Sequence, residues 1–243
     1  MIEKYETKGG FFLIKVILWD IDGTLLNFKM SERYAIDYCF NKFHMGTCTG
    51  EMLQRYSMIN RGYWERLETG ELTREQVMLG RFHEFFESEG LPTDQVKAFN
   101  DEYQIRLGDK AFFCDHGDEL VKQLKLIVKQ YAVTNGTIVA QERKLRLSGL
   151  DQLLDGVFIS EKVGVDKPQK AFFDDVWKEI GSYAPDEVVI VGDSLTSDIR
   201  GGKNAGIRTC WYNPDHLPNK IGVTPDCIID NLQDILLYLD ESR

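Results

Sequence analysis

What this chain has little of narrows its chemistry first. Its five cysteines, Cys39, Cys48, Cys114, Cys210 and Cys227, are odd in number and never spaced Cys-x-x-Cys. That argues against a disulfide framework and a thiolate zinc site, and leaves reduced thiols. The four histidines lack any His-x-x-x-His pairing and are assigned no metal or catalytic role. No apolar run reaches the ~18 to 20 residues of a membrane span. The opening MIEKYETKGGFFLIKVILWD sets acids beside its lysines and interrupts its apolar run at Lys15. Neither a membrane partner nor a secretory signal is expected, and a cytoplasmic location is. Basic residues are also short, 29 against 39 acidic ones for a net charge of -10, with no basic stripe. A nucleic-acid polymer would be repelled. A small anionic ligand would meet the same field, so a phosphate site here needs its own cation, a metal or a placed lysine.

What is present suffices for a folded enzyme-sized chain: 243 residues, 43% hydrophobic and 12% aromatic. Phe11 to Trp19 is apolar and β-branched, too short for a typical helix, and reads as a buried strand, with Gly9-Gly10 a turn or flexible lead-in before it. From Ser31 to Gly108 the pattern is helical only. Ser31 opens YAIDYCFNKF, a second helix runs near Glu51 to Leu67, Thr73 and Gln76 form a capping box, and a fourth helix runs near Thr93 to Leu107. After Asp115, helix and strand alternate: DELVKQLKLIVKQ, YAVTN, IVAQERKLRLSG, VFIS, QKAFFDDVWKEIG, EVVIVGD, SDIRGGKNAG, RTCWY, CIID and a terminal helix. Alternation of this kind predicts right-handed βαβ units on a parallel sheet. The expected fold is therefore α/β, a doubly wound, Rossmann-like parallel core (1–27 and 109–243) with an inserted all-helical cap (28–108).

Open parallel sheets bind ligands beyond the carboxyl ends of their strands, so the polar residues there belong to one site. They are Asp20 and Asp22, then Thr134, Asn135 and Gly136, then Asp193 with Asp198 five positions on, while Lys167 lies on a loop. In extended chain, residues two apart face one side, so the Asp20 and Asp22 side chains can share an octahedral cation, with Asp193 as a third carboxylate and Asp198 in support. Oxygen ligands without Cys or His favour Mg²⁺. Gly23 lets the backbone bend so that N–H groups can face a phosphoryl group, Thr134 adds a hydroxyl, and Lys167 is the local cation the charge balance requires.

DIDGT at Asp20 to Thr24, TNG at Thr134 to Gly136, Lys167-Pro168 and GDSLTSD at Gly192 to Asp198, in that order, resemble the four motifs of the haloacid dehalogenase-like hydrolases. The resemblance implies that Asp20 is a nucleophile forming an aspartyl-phosphate and Asp22 the acid and base. It implies further that Gly23, Thr134, Asn135 and Lys167 bind the phosphoryl group. Asp20, Asp193 and the Asp22 backbone carbonyl would hold Mg²⁺, with Asp198 behind them. A carboxylate at Asp22 favours phosphate chemistry over dehalogenation. The cap segment RGYWERLETGELTREQVMLGRFHEFFESEGL, with ISEKVGVDKP and NAGIRTCWYNP, is similar to the pyrimidine 5'-nucleotidase branch, which implies a nucleoside monophosphate, a small phosphate monoester, as substrate. Sugar phosphates, phosphoglycolate, acyl sugar acid phosphates, or a silent phosphometabolite-binding protein are the other readings. Tyr63, Trp64 and Phe82 can stack a base and Arg61 or Arg81 can pair with its sugar or phosphate, although Phe82, Phe85 and Phe86 at helical spacing also read as packing. Two residues depart from the branch's pattern: Asp166 before the lysine, and His116 where proline is usual. The oligomeric state is left open, with a monomer compatible.

Overall fold

The structure, a computed structural model, describes residues 14–241, so the Gly9-Gly10 turn and the Phe11–Leu13 part of the first expected strand lie outside the described residues. Among the described residues six parallel strands make one sheet: β1 (Val16–Trp19), β2 (Lys129–Thr134), β3 (Gly156–Ile159), β4 (Val188–Gly192), β5 (Arg208–Tyr212) and β6 (Cys227–Ile229). Their spatial order is β3-β2-β1-β4-β5-β6, which is the doubly wound arrangement. Every residue of β1 and β4 is buried, as continuous apolar runs at the centre of a two-faced parallel sheet must be. Their side chains alternate faces. Ile17, Trp19, Val189 and Val191 join one hydrophobic cluster, while Val16, Leu18, Val188 and Ile190 join the other.

Between β1 and the rest of the sheet lie four helices of the cap: α1 (Phe28–Lys42), α2 (Gly50–Glu68), α3 (Arg74–Glu89) and α4 (Val96–Leu107). Their interior is aromatic. Phe82 stacks on Tyr56 at 4.9 Å and meets Phe99 edge-on at 5.1 Å, and Phe40, Phe85, Phe86 and Tyr103 close the cluster. The α3 start carries the expected capping box, with Thr73 Oγ1 accepting from the Gln76 N–H and Gln76 Oε1 from the Thr73 N–H (3.3 and 2.8 Å). The first helix begins earlier than Ser31, because Asn27 Oδ1 accepts from the Met30 N–H at 3.1 Å and so caps it at Phe28.

The remaining helices are α5 (Gly117–Leu124), α6 (Ile138–Ser148), α7 (Leu150–Leu153), α8 (Ser160–Val163), α9 (Lys170–Ile180), α10 (Arg200–Ala205) and α11 (Ile235–Glu241). The helix read through Gln130 stops at Leu124 instead. Gln130 belongs to β2, where its buried amide accepts from the Trp19 indole (3.0 Å) and donates to the Val121 carbonyl (2.9 Å), a tertiary constraint stronger than local periodicity. His116 precedes α5 with φ +55°, a left-handed conformation closed to proline, whose ring holds φ near -65°. The residue following Gly192 does not enter α10 directly: Leu195–Ile199 forms one wide π turn first, capped by Ser194 Oγ.

Candidate active site

The site grows from the carboxyl ends of the three middle strands. Asp20 follows β1, and its N–H donates to the Val191 carbonyl of β4 (2.9 Å), so its position is tied to the sheet. The chain then turns at once. The Leu26 N–H donates to the Ile21 carbonyl and the Gly23 N–H to the Leu26 carbonyl, both at 2.8 Å. This turn overrides the extended-chain expectation, so Asp20 and Asp22 do not present their carboxylates to one point. Asp22 instead accepts from Lys144 Nζ on one oxygen and Gln141 Nε2 (2.6 Å) on the other, both from α6.

The turn also corrects the reading of Gly23. Its N–H is used inside the turn and is not aimed at a ligand. Glycine is required for another reason: φ is +98°, and a Cβ would sit 2.5 Å from Asp193 Oδ2. Thr24, fully buried, holds the same residue, its hydroxyl accepting from the Asp193 N–H at 3.1 Å. The Trp211 indole donates to the Asp193 carbonyl at 2.9 Å.

Lys167 is the centre of the cluster. Its fully buried ammonium donates to Asp198 Oδ1 (2.6 Å), the Val133 carbonyl (2.7 Å) and Asp20 Oδ1 (2.8 Å), three acceptors for three protons. Burial pulls the ammonium's pKa down, but the Asp198 and Asp20 charges outweigh it and hold the pKa above the ordinary lysine value. Asp20 is pushed up to about 7 by burial, against the lowering pull of Lys167 and with added repulsion from Asp198 and Asp22. Asn135 does not offer its side chain to a ligand: Oδ1 accepts from the Lys167 N–H and Nδ2 donates to the Lys167 carbonyl, both at 2.9 Å. It is a clamp on the lysine's backbone. Thr134 Oγ1 accepts from the Gly136 N–H (3.1 Å), which leaves its own proton to donate.

Asp20, Asp193 and Asp198 place carboxylate oxygens within 4.8 Å of one another. Asp198, read from sequence as a supporting residue, thus stands among them, because the π turn folds it back to Gly192, where any Cβ would clash with its Oδ2 at 2.2 Å. Its other anchor is the Ser194 N–H (3.1 Å). Three crowded carboxylates and one ammonium carry net negative charge, and an all-oxygen donor set of this kind fits a hard divalent cation.

Two cap side chains reach this floor, and neither was singled out from sequence. Glu68, the last residue of α2, accepts from the Thr196 hydroxyl on the π turn. Arg74, the first of α3, pairs with Asp166 and donates to Ser160 Oγ (2.5 Å) and the Asn135 carbonyl (3.1 Å). Asp166, the acid that looked out of place beside Lys167, is therefore the anchor for a cap arginine. Phe82 and Arg81, named as possible base contacts, are part of the cap interior. Arg81 is fully buried and donates to Asn60 Oδ1 (2.8 Å) and Asn100 Oδ1 (3.2 Å).

A model of the haloacid dehalogenase-like hydrolase family matches residues 14–206. The chain belongs to that family. Among curated relatives, YfnB of Bacillus subtilis, named as a HAD-hydrolase, is 34% identical over 93% of this chain and 95% of its own. The pyrimidine 5'-nucleotidase PynA of Streptococcus pneumoniae is 31% identical over 94% of this chain and 96% of its own, and the pyrimidine 5'-nucleotidase YjjG of Escherichia coli 31% over 90% and 95%. The crystal structure of YfnB, bound to magnesium and described as revealing interdomain movement, superposes with a TM-score of 0.88 at 33% identity, covering 94% of this chain and 99% of that one. Among the described residues no helix is long and apolar enough to cross a membrane.

Proposed function

We propose that this HAD-like protein, a phosphoric monoester hydrolase, acts as a Mg²⁺-dependent 5'-nucleotidase on pyrimidine nucleoside monophosphates through an aspartyl-phosphate. The observation that carries the chemistry is the Lys167 ammonium shared between Asp20 and Asp198 at the edge of the three-carboxylate group. It keeps an attacking carboxylate beside a fixed positive charge, which is what phosphoryl transfer asks of a protein. What supports the substrate class is that both pyrimidine nucleotidases match over 90% or more of the chain, cap included. Residues 28–108 are taken as the cap that selects the substrate and residues 1–27 with 109–243 as the catalytic core.

In this reading an Asp20 oxygen attacks phosphorus, the ester P–O bond breaks, and Asp22 in its acid form protonates the departing nucleoside oxygen. Water then attacks the phosphoaspartate, the P–O bond to Asp20 breaks with its electron pair returning to the carboxylate, and Asp22 takes the water proton. Thr134 donates to a phosphoryl oxygen, and Lys167 turns the proton it now gives to Asp20 Oδ1 toward the phosphoryl group as Asp20 takes it on. Asp20, Asp193 and Asp198 would hold the Mg²⁺, with the Asp22 carbonyl the further ligand the family resemblance implies; when bound, it supplies charge neutralisation for the phosphoryl group. Cap side chains Glu68 and Arg74 exclude water from the intermediate by bridging to the floor. The deciding experiment measures phosphate release with Mg²⁺ from UMP, dUMP and dTMP beside sugar phosphates and phosphoglycolate. A kcat/KM highest for the pyrimidine nucleotides is expected. A higher value for a sugar phosphate removes the nucleotidase assignment, and no release from any ester, para-nitrophenyl phosphate included, removes the enzymatic one.

A further inference from the structure

Helix α6 carries two polar residues on its buried face, Gln141 and Lys144, three positions apart and both fully buried. Neither touches the three-carboxylate group. Both meet Asp22: Lys144 Nζ donates to Oδ1 and Gln141 Nε2 to Oδ2. The Lys144 ammonium lies 5.4 Å from the Phe28 ring centroid, against the first residue of α1, and is fully buried, while the Asp22 side chain it meets stays 22% exposed. An ammonium without solvent costs several kcal/mol unless compensated, and an apolar side chain would fill a helix face at no such penalty. Gln141 adds a second anomaly. Its buried Oε1 has no partner among the described residues, so the amide gives up one hydrogen bond while Nε2 stays on Asp22. Gly136 makes this possible, since a Cβ there would meet Gln141 Nε2 at 2.2 Å.

We infer that Lys144 and Gln141 are positioning residues that hold Asp22 as the base for the second half-reaction, the hydrolysis of the phosphoenzyme. With Lys144 holding one oxygen and Gln141 the other, the Asp22 carboxyl is fixed in rotation, so the lone pair that takes the proton of the attacking water keeps one direction. As the water oxygen bonds to phosphorus, the Asp20 carboxylate departs with the electrons of its P–O bond and the water proton passes to Asp22. Without the clamp, the Asp22 side chain can swing about χ1, and its proton-accepting lone pair leaves the water's path. The inference rests on the reading of Asp22 as acid and base and assigns how the chain aims it.

The test uses para-nitrophenyl phosphate with Mg²⁺ under rapid mixing, because a nitrophenolate leaves without protonation and isolates the water step. In Lys144→Met we expect a burst approaching one nitrophenolate per enzyme, then turnover slowed by roughly 10²-fold, with more trapped aspartyl-phosphate at acid quench than in the parent. Asp22→Asn should show the same accumulation. If it does while Lys144→Met keeps the parent's level of phosphoenzyme, the positioning inference is overturned. If Asp22→Asn itself accumulates none, the acid and base reading of Asp22 has failed first, and the inference with it. Gln141→Leu removes a neutral donor and strands no charge, so it carries the same test should Lys144→Met not fold. It should accumulate phosphoenzyme to a smaller extent, and parent-like levels would count against the clamp.

Discussion

In the cap, Phe40, Phe82, Phe85, Phe86 and Phe99 fill the space between four helices with rings, and the buried charges of Arg81 and Glu32 are a minority among them, whereas at the strand tips Asp20, Lys167 and Asp198 are buried side by side and charge predominates. The cap interior is stabilised by removal of apolar surface, about 1.5–3 kcal/mol for a fully buried large side chain. The tips gain no such term. They hold their geometry because each charge is placed by backbone already fixed in the sheet or clamped to it: Asp20 by Val191, Lys167 by Asn135 and Val133, Asp198 by Ser194. The stability of the molecule and its chemistry thus reside in different materials, and substitutions can separate them.

The largest effect should come from Asp20→Asn, which removes the attacking carboxylate. Turnover of any phosphate ester should fall to background with the melting temperature unchanged or raised, because a buried charge is lost; activity near that of the parent protein would defeat the covalent route. Phe82→Ala tests the other half of the comparison. It should cost about 3–5 kcal/mol in urea unfolding, while the protein that stays folded keeps its activity toward para-nitrophenyl phosphate. A catalytic collapse at full stability would mean that Phe82 serves the substrate and not the cap. Gly23→Ala lies between the two, forcing a left-handed strain of roughly 1–3 kcal/mol and pushing on the Asp193 carboxylate. Weaker Mg²⁺ activation is expected, read as a raised metal concentration for half-maximal rate.

Smaller effects are expected where cap meets core. Asp166→Asn loosens Arg74, a partly exposed pair worth on the order of 1 kcal/mol or less, so KM for nucleotides should rise more than kcat falls. Glu68 adds a pH dependence. Burial and the nearby Asp198 charge, against the Thr196 hydrogen bond, raise its pKa from 4.5 to about 8. Its stabilising contribution is present below pH 4.5 and is lost as pH rises through about 8. Thermal melts of the parent protein should therefore decline over that window relative to Glu68→Gln, which keeps a hydrogen-bonding partner for Thr196 without titrating; parallel curves would show that Glu68 is solvated.

Much of this was legible in the chain itself. Strand tips were marked by carboxylates and glycines after apolar runs, α3 by its capping box, and the doubly wound sheet by alternation. Helix ends and roles that depend on distant partners were not. Nothing local says that Gln130 will meet Trp19, 111 positions away, or that α6 will aim Lys144 at Asp22 from 122 positions away. Two local signals do point to such partners: polar residues at positions 141 and 144 interrupt the inward stripe of α6, and Asp166 departs from the branch's pattern beside Lys167.

Hydrophobic period and turn chemistry, which depend on neighbours a few residues apart, determined by themselves that this chain folds as a capped α/β protein, and the order of the four motifs along the chain carried its resemblance to the hydrolases. Which carboxylates gather and which one is led away was decided only in three dimensions. A turn at Gly23 and the π turn that contains Asp198 reverse the directions that strand geometry alone would assign. Direction of a side chain over the last few ångströms is set by packed partners, and those are known only once the sheet has brought its tips together.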